Sequence, residues 1–231
     1  ALEKLVKAQG LEAKTKAAAE YAKKFPKGVK RADVAGTIAN EIYKIQDNNQ
    51  KIKAAEEFAK IFNQPGEADL VRPSLIEAYF TANKFDEALA EELTARELEP
   101  LSLVVNSNLG FICYQAHRYE NAVKYLLETL EIDEQFIYAR FHLGLTYAQL
   151  KRHDEAIVEL QRALELSGGG ALIRAALGYA YANAGKRTEA LAILAGVALI
   201  VAHVQMDHRR ARRRAARRLG TDLVRRERQV R

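Results

Sequence analysis

Leu109-Gly110, Leu143-Gly144 and Leu177-Gly178 recur at one fixed interval, and this period constrains the chain more than any other feature. Ala88, Ala122, Ala156 and Ala190 keep the same spacing, as do Leu126, Leu160 and Leu194. Three position classes sharing one period mark a repeat architecture in which each unit is too small to bury its own apolar side and must stack on a neighbour. The residues between these positions favour helix: alanine, leucine, glutamate, lysine and arginine dominate, tryptophan is absent, and only four of the 231 residues are proline. Turn-like stretches at Asn83-Lys84-Phe85-Asp86, Ala116-His117-Arg118-Tyr119, Lys151-Arg152-His153-Asp154 and Gly185-Lys186-Arg187-Thr188 divide each repeat into two helices. Asp86, Asp154 and Thr188 are placed as N-caps or first-turn residues of the second helices. Ser167-Gly168-Gly169-Gly170 forms a glycine-rich junction expected to act as a hinge.

The repeat containing Leu143, Gly144, Tyr147, Ala156, Leu160 and Ala163 resembles the tetratricopeptide repeat (TPR) consensus. The interval, about 34 residues, is the length of that family's unit. Its neighbours share the pattern through Leu109, Gly110, Cys113, Ala122 and Leu126, and through Leu177, Gly178, Tyr181, Ala190 and Leu194. The earliest clear repeat has Leu75, Tyr79, Ala88, Ala95 and Pro100, with Ile76 in place of the glycine. This resemblance implies an all-α fold, a right-handed α-solenoid of antiparallel helix pairs. It divides the chain into N-terminal helices at 1–68, four repeats at 69–102, 103–136, 137–170 and 171–204, and an arginine-rich tail at 205–231. Within 1–68, Ala1 to Phe25 reads as one amphipathic helix, and Arg31 to Gln46 and Lys51 to Phe62 as a pair. Ala54 and Phe58 precede Ala88 and Glu92 by the same interval, suggesting a degenerate repeat. Lys24-Phe25-Pro26-Lys27-Gly28 resembles the inter-repeat turn of bacterial TPR proteins.

No constellation for catalysis emerges. His117, His142, His153, His203 and His208 lack the spacing of a helical zinc site, and His117 and His153 fall in turns where solvated side chains are expected. The acidic pairs Glu56-Glu57 and Glu91-Glu92 alternate with lysines and read as solvated helix faces. Gly168 to Gly170 lacks the lysine and hydroxyl of a nucleotide loop. Cys113, the single cysteine, sits at the repeat's tyrosine position and reads as core packing. The expectation is a non-enzyme without metal or cofactor. A lone cysteine slightly favours the cytoplasm and leaves the periplasm and cell surface open. The sequence opens at Ala1 without a leader-like stretch, compatible with processing or excision from a longer chain.

The TPR resemblance further implies that the first helix of each repeat lines a concave groove that holds a protein or peptide. Projected onto this chain, the groove carries Phe80, Asn108, Phe111, Tyr114, Gln115, Tyr138, Phe141, His142, Gln149, Tyr179 and Asn183, with Glu77 and Leu145 beside them. Aromatics with scattered amides suit an extended or helical peptide with apolar anchors; packing between repeats is the competing role for the same rings. TPR domains that clamp chaperone tails use lysine, asparagine, asparagine, lysine and arginine, whereas the matching positions here hold Pro73, Glu77, Asn108, Tyr138 and His142, so that role is disfavoured.

The C-terminal region departs from the pattern. Ala190 to Ala202 contains no polar residue, and from Asp207 to Arg231 eleven arginines face three acids, a net of +8 that leaves the preceding 206 residues at −2. After Lys186 every basic residue is arginine, a shift compatible with a distinct origin for the tail. Three readings stand, in decreasing order: self-association into a homo-oligomer or filament through open solenoid ends; membrane contact through 190–218, with 190–206 at the short limit for a span; and nucleic-acid binding by arginines, disfavoured without interleaved aromatics.

Overall fold

Four successive turns between first and second helices share one backbone device. Asn83, His117, Lys151 and Gly185, spaced at the repeat period, all adopt positive φ, at 57°, 57°, 60° and 74°. Each lies just past a first helix, where a left-handed residue lets the next amides return to carbonyls of the last turn. In the first of these turns Lys84 N donates to Tyr79 O (2.8 Å) and Asn83 N to Phe80 O (3.0 Å); Arg118 to Cys113 (2.8 Å), Arg152 to Tyr147 (2.9 Å) and Lys186 to Tyr181 (2.9 Å) follow suit. The reversal is therefore a backbone property, indifferent to whether the side chain is asparagine, histidine or lysine.

The computed structural model describes residues 2–64, 66–193, 195–196 and 206. Among them are the α-helices α1 to α11, further helical residues at 187–193, one 3-10 turn (Ala68–Leu70) and no strand. The helices are α1 Leu2–Lys7, α2 Leu11–Lys24, α3 Arg31–Tyr43, α4 Asn48–Ile61, α5 Arg72–Thr81, α6 Phe85–Leu98, α7 Leu103–Gln115, α8 Tyr119–Ile132, α9 Ile137–Gln149, α10 His153–Leu166 and α11 Ala171–Asn183. The fold is an all-α solenoid of helix pairs, in two compact units, Ala1–Ala139 and Arg140–Arg231. Leu194, most of the apolar stretch 190–206 and the arginine-rich tail lie outside the described residues. No helix among the described residues is long and apolar enough to cross a membrane.

In the first unit α3 pairs with α4, α5 with α6 and α7 with α8, and each pair packs on the next. Asp47 caps α4 by accepting from Gln50 N at 2.8 Å, and Ser102 caps α7 from Val105 N. Asp86 and Asp154 sit just inside their helices, whose N-caps Lys84 and Arg152 make no side-chain cap bond. Their carboxylates pair instead with the following turn, Asp86 with Arg118 and Asp154 with Lys186. The single helix expected over Ala1 to Phe25 is instead two, because Gly10 adopts φ 80° and breaks the run between α1 and α2. Leu5 on α1 still reaches the core, which joins Tyr21, Val34, Ile38, Phe58, Phe62, Val71 and Leu75. Arg31 is buried at 6% exposure within it. Its guanidinium donates to Glu67 (2.7 and 3.0 Å), to Ala22 O (3.1 Å) and to Ile61 O (3.1 Å), while Glu67 also accepts from Gln64 N. One ion pair thereby ties the ends of α2 and α4 to the start of the 3-10 turn.

The repeat's glycine is required by contact. A Cβ at Gly110 would lie 2.5 Å from Leu126 Cγ, and in the second unit one at Gly144 would lie 2.6 Å from Leu160 Cγ. Both leucines are fully buried. Cys113 is buried as expected for core, and burial pushes its thiol pKa up. In the second unit His142 is only 7% exposed, its ring 5.1 Å from that of Phe141, and burial lowers its pKa to about 4. His153 starts α10 and is half-buried rather than solvated.

Three outcomes follow from this packing. Gly110→Ala costs about 1–3 kcal/mol in urea unfolding, and combining it with Leu126→Ala costs less than the separate losses added together, because the truncated leucine makes room for the new methyl. Lys151→Gly raises stability by about 0.5–1 kcal/mol, since glycine enters the left-handed region without a Cβ penalty. His142 is neutral when folded down to about pH 4 but takes up a proton near 6.5 when unfolded, so its burial favours folding above pH 6.5 and that stability is lost as pH falls toward 4. Acidification from pH 7 to 5 therefore weakens folding by about 2 kcal/mol on this account, and His142→Leu shows a correspondingly smaller drop in denaturant midpoint.

Candidate functional site

The first helices of the repeats present aromatic side chains, and within the first unit these form a continuous row. Phe85 meets Phe80 edge-on at 5.7 Å between centroids, Phe80 stacks on Phe111 at 5.2 Å and 29°, Phe111 meets Tyr138 at 6.3 Å, and Tyr138 meets Phe136 at 6.4 Å. Phe80 stands near the end of α5, Phe111 on α7 and Tyr138 at the start of α9. Phe80 and Phe111 are half-buried, and Tyr138 is 37% exposed. Tyr114, 5.9 Å from Tyr119, and Gln115 are half-buried at the end of α7.

Below Phe80 and Phe111, between α5, α6 and α7, opens a cleft of about 470 Å³. Pro73, Ile76, Phe80, Val104, Phe111 and Ile112 supply apolar walls, and Asp69, Arg72, Glu77 and Glu99 surround it. Glu92 and Asn108 complete the lining. Three expected groove residues, Phe80, Asn108 and Phe111, thus converge on one feature, with Glu77 beside them.

Glu92 corrects the sequence-based expectation of a solvated acidic pair, because it is 2% exposed. Its position is one repeat period before Leu126, so it occupies the slot where the next repeat buries leucine. Burial pushes its carboxyl pKa up, opposed by a hydrogen bond from the Asn108 side chain. Glu91 lies half-buried beside it and binds Arg72, which also holds Asp69 at 2.7 Å. Glu56 and Glu57 are exposed, as expected. The period alone could have revealed Glu92, since the residue sits in a column otherwise filled by Phe58, Leu126 and Leu160.

The remaining expected groove residues belong to the second unit. Phe141 and Leu145 are half-buried, whereas Gln149, Tyr179 and Asn183 are exposed. The family projection sets His142 on the groove face; in the structure its side chain is buried, at 7% exposure. Among the described residues no group of three or more histidine, cysteine, aspartate or glutamate side chains converges to hold a metal.

Residues 101–167 match the tetratricopeptide repeat family. No curated protein matches the sequence. Among solved structures the chain is similar to the MamA fragment 41-end from Desulfovibrio magneticus RS-1, at 16% identity and a TM-score of 0.66, over 76% of this chain and 97% of that one. It is also similar to YrrB, described as a TPR protein with an unusual peptide-binding site, at 19% identity and a TM-score of 0.58, over 78% and 91% of the two chains. A thermophilic TPR protein from Thermus thermophilus superimposes with a TM-score of 0.53 at 22% identity, over 72% and 89%. At these identities the likeness establishes the fold, and the tetratricopeptide repeat match itself is carried by residues 101–167.

Proposed function

We propose that the chain is a protein-interaction scaffold whose first unit docks an extended or helical segment of a partner along Phe80, Phe111 and Tyr138. The observation that carries this reading is the unbroken row of rings across α5, α7 and the start of α9, half-exposed and flanked by the amide of Asn108. Rings so placed offer large, rigid contact area at low entropic cost, and an amide beside them can meet the backbone groups of a docked segment. Among the structural neighbours, YrrB is described as having a peptide-binding site, which supports a binding role for this fold without transferring its site. The role is one of binding; no residue is assigned a catalytic part.

A photo-crosslinking amino acid in place of Tyr138 captures partner proteins from the native source, and Phe111→Ala combined with Tyr114→Ala weakens the purified complexes at least about tenfold. Circular dichroism and thermal unfolding confirm that the variant stays folded. Unchanged affinity of every captured partner for the folded double variant would overturn the reading.

A further inference from the structure

One repeat exchanges both members of the contact that the two repeats after it share. Where those set glycine against leucine, Gly110 with Leu126 and Gly144 with Leu160, the α5–α6 pair sets Ile76 against Glu92. A leucine at this slot lies where the glycine's missing Cβ would be, so a branched side chain at 76 excludes that arrangement. The residue opposite is a carboxylate, hydrogen-bonded by Asn108 from α7, and both exchanged residues line the 470 Å³ cleft. A buried carboxylate is costly unless a donor or a cation meets it, and leucine at the same slot carries no such cost.

We propose, resting on the scaffold reading above, that this cleft receives one basic side chain of the partner, an arginine or lysine with apolar neighbours, its head on the Glu92 carboxylate and its stem against Ile76, Phe80 and Phe111. Charge complementarity selects this occupant. Among the described residues, the hydrogen-bond partner of Glu92 in the cleft is the neutral Asn108, while Arg72, the one basic residue of the lining, is taken up by Asp69 and Glu91. Glu99 adds negative charge at the edge, whereas Glu77 is paired with Lys51 at 3.7 Å. Burial raises the Glu92 pKa, and a cation seated there restores the charged form. Phe80 and Phe111 line the cleft as aromatic walls, and aromatic rings attract a guanidinium or ammonium. The volume exceeds a single side chain and falls in the range of ligand sites, which leaves room for the apolar neighbours.

The test is selection of a random dodecapeptide display library on the full chain, on Glu92→Leu, on Glu92→Gln and on Phe111→Ala. The wild-type chain selects peptides enriched in arginine or lysine beside leucine, isoleucine or phenylalanine, and replacing that basic residue by norleucine weakens the best peptide about tenfold. Both Glu92 variants lose the basic preference; Glu92→Gln preserves size, so a packing defect in Glu92→Leu does not decide the result. Selection of peptides without basic enrichment by the wild type, with binding lost in Phe111→Ala, overturns the basic-residue inference and leaves the scaffold reading standing. Equal selection by wild type and Phe111→Ala overturns both.

Discussion

The close approach of two helices over a residue without a Cβ is the constraint on which the repeat depends. Leu126 and Leu160 fill the space over Gly110 and Gly144 so fully that a methyl group there would overlap them, and this interlock sets how near the two helices of a pair can lie. Alanines at the neighbouring slots, Ala88, Ala122 and Ala156, are buried to 0% exposure and extend the close contact along the pair. Once the spacing is set, the large side chains of one pair reach the next, and burial accumulates from pair to pair.

Much of this is legible in the sequence because it is periodic. The Leu-Gly pairs and the spaced alanines locate the hairpins, and α6, α8 and α10 begin one period apart at Phe85, Tyr119 and His153. The features that the sequence conceals have physical reasons for doing so. The left-handed turn position carries asparagine, histidine, lysine and glycine in turn, so no residue type marks it, and the device appears only as a dihedral. Gly10 sits within a stretch whose lysines and alanines continue a helical pattern on both sides, which hides the break. His142 and Glu92 mislead for one reason: polarity suggests water, whereas their places on α9 and α6 put them in the interior.

The candidate site shows how a repeat array acquires individuality. Phe80, Asn108 and Phe111 are readable from the family pattern of inward positions, but the pattern says nothing of depth. Depth comes from the Ile76–Glu92 exchange, which places a polar floor beneath a wall of rings in one repeat only among those described. The glycine–leucine interlock of the two following repeats and the exchange that sets this one apart occupy the same slot.

Arg31 has a bearing on modularity. Its guanidinium spans three segments, donating to carbonyls at the ends of α2 and α4 and to both oxygens of Glu67, inside a shell that includes the ring of Phe62. Repeat arrays are in principle divisible at any joint, yet a cut between α3 and the 3-10 turn separates Arg31 from Glu67 and strands half of a buried ion pair, and a cut between α2 and α3 takes the Ala22 carbonyl from the same guanidinium. The stretch from α2 to the 3-10 turn consequently holds together as one block, joined through a single buried side chain.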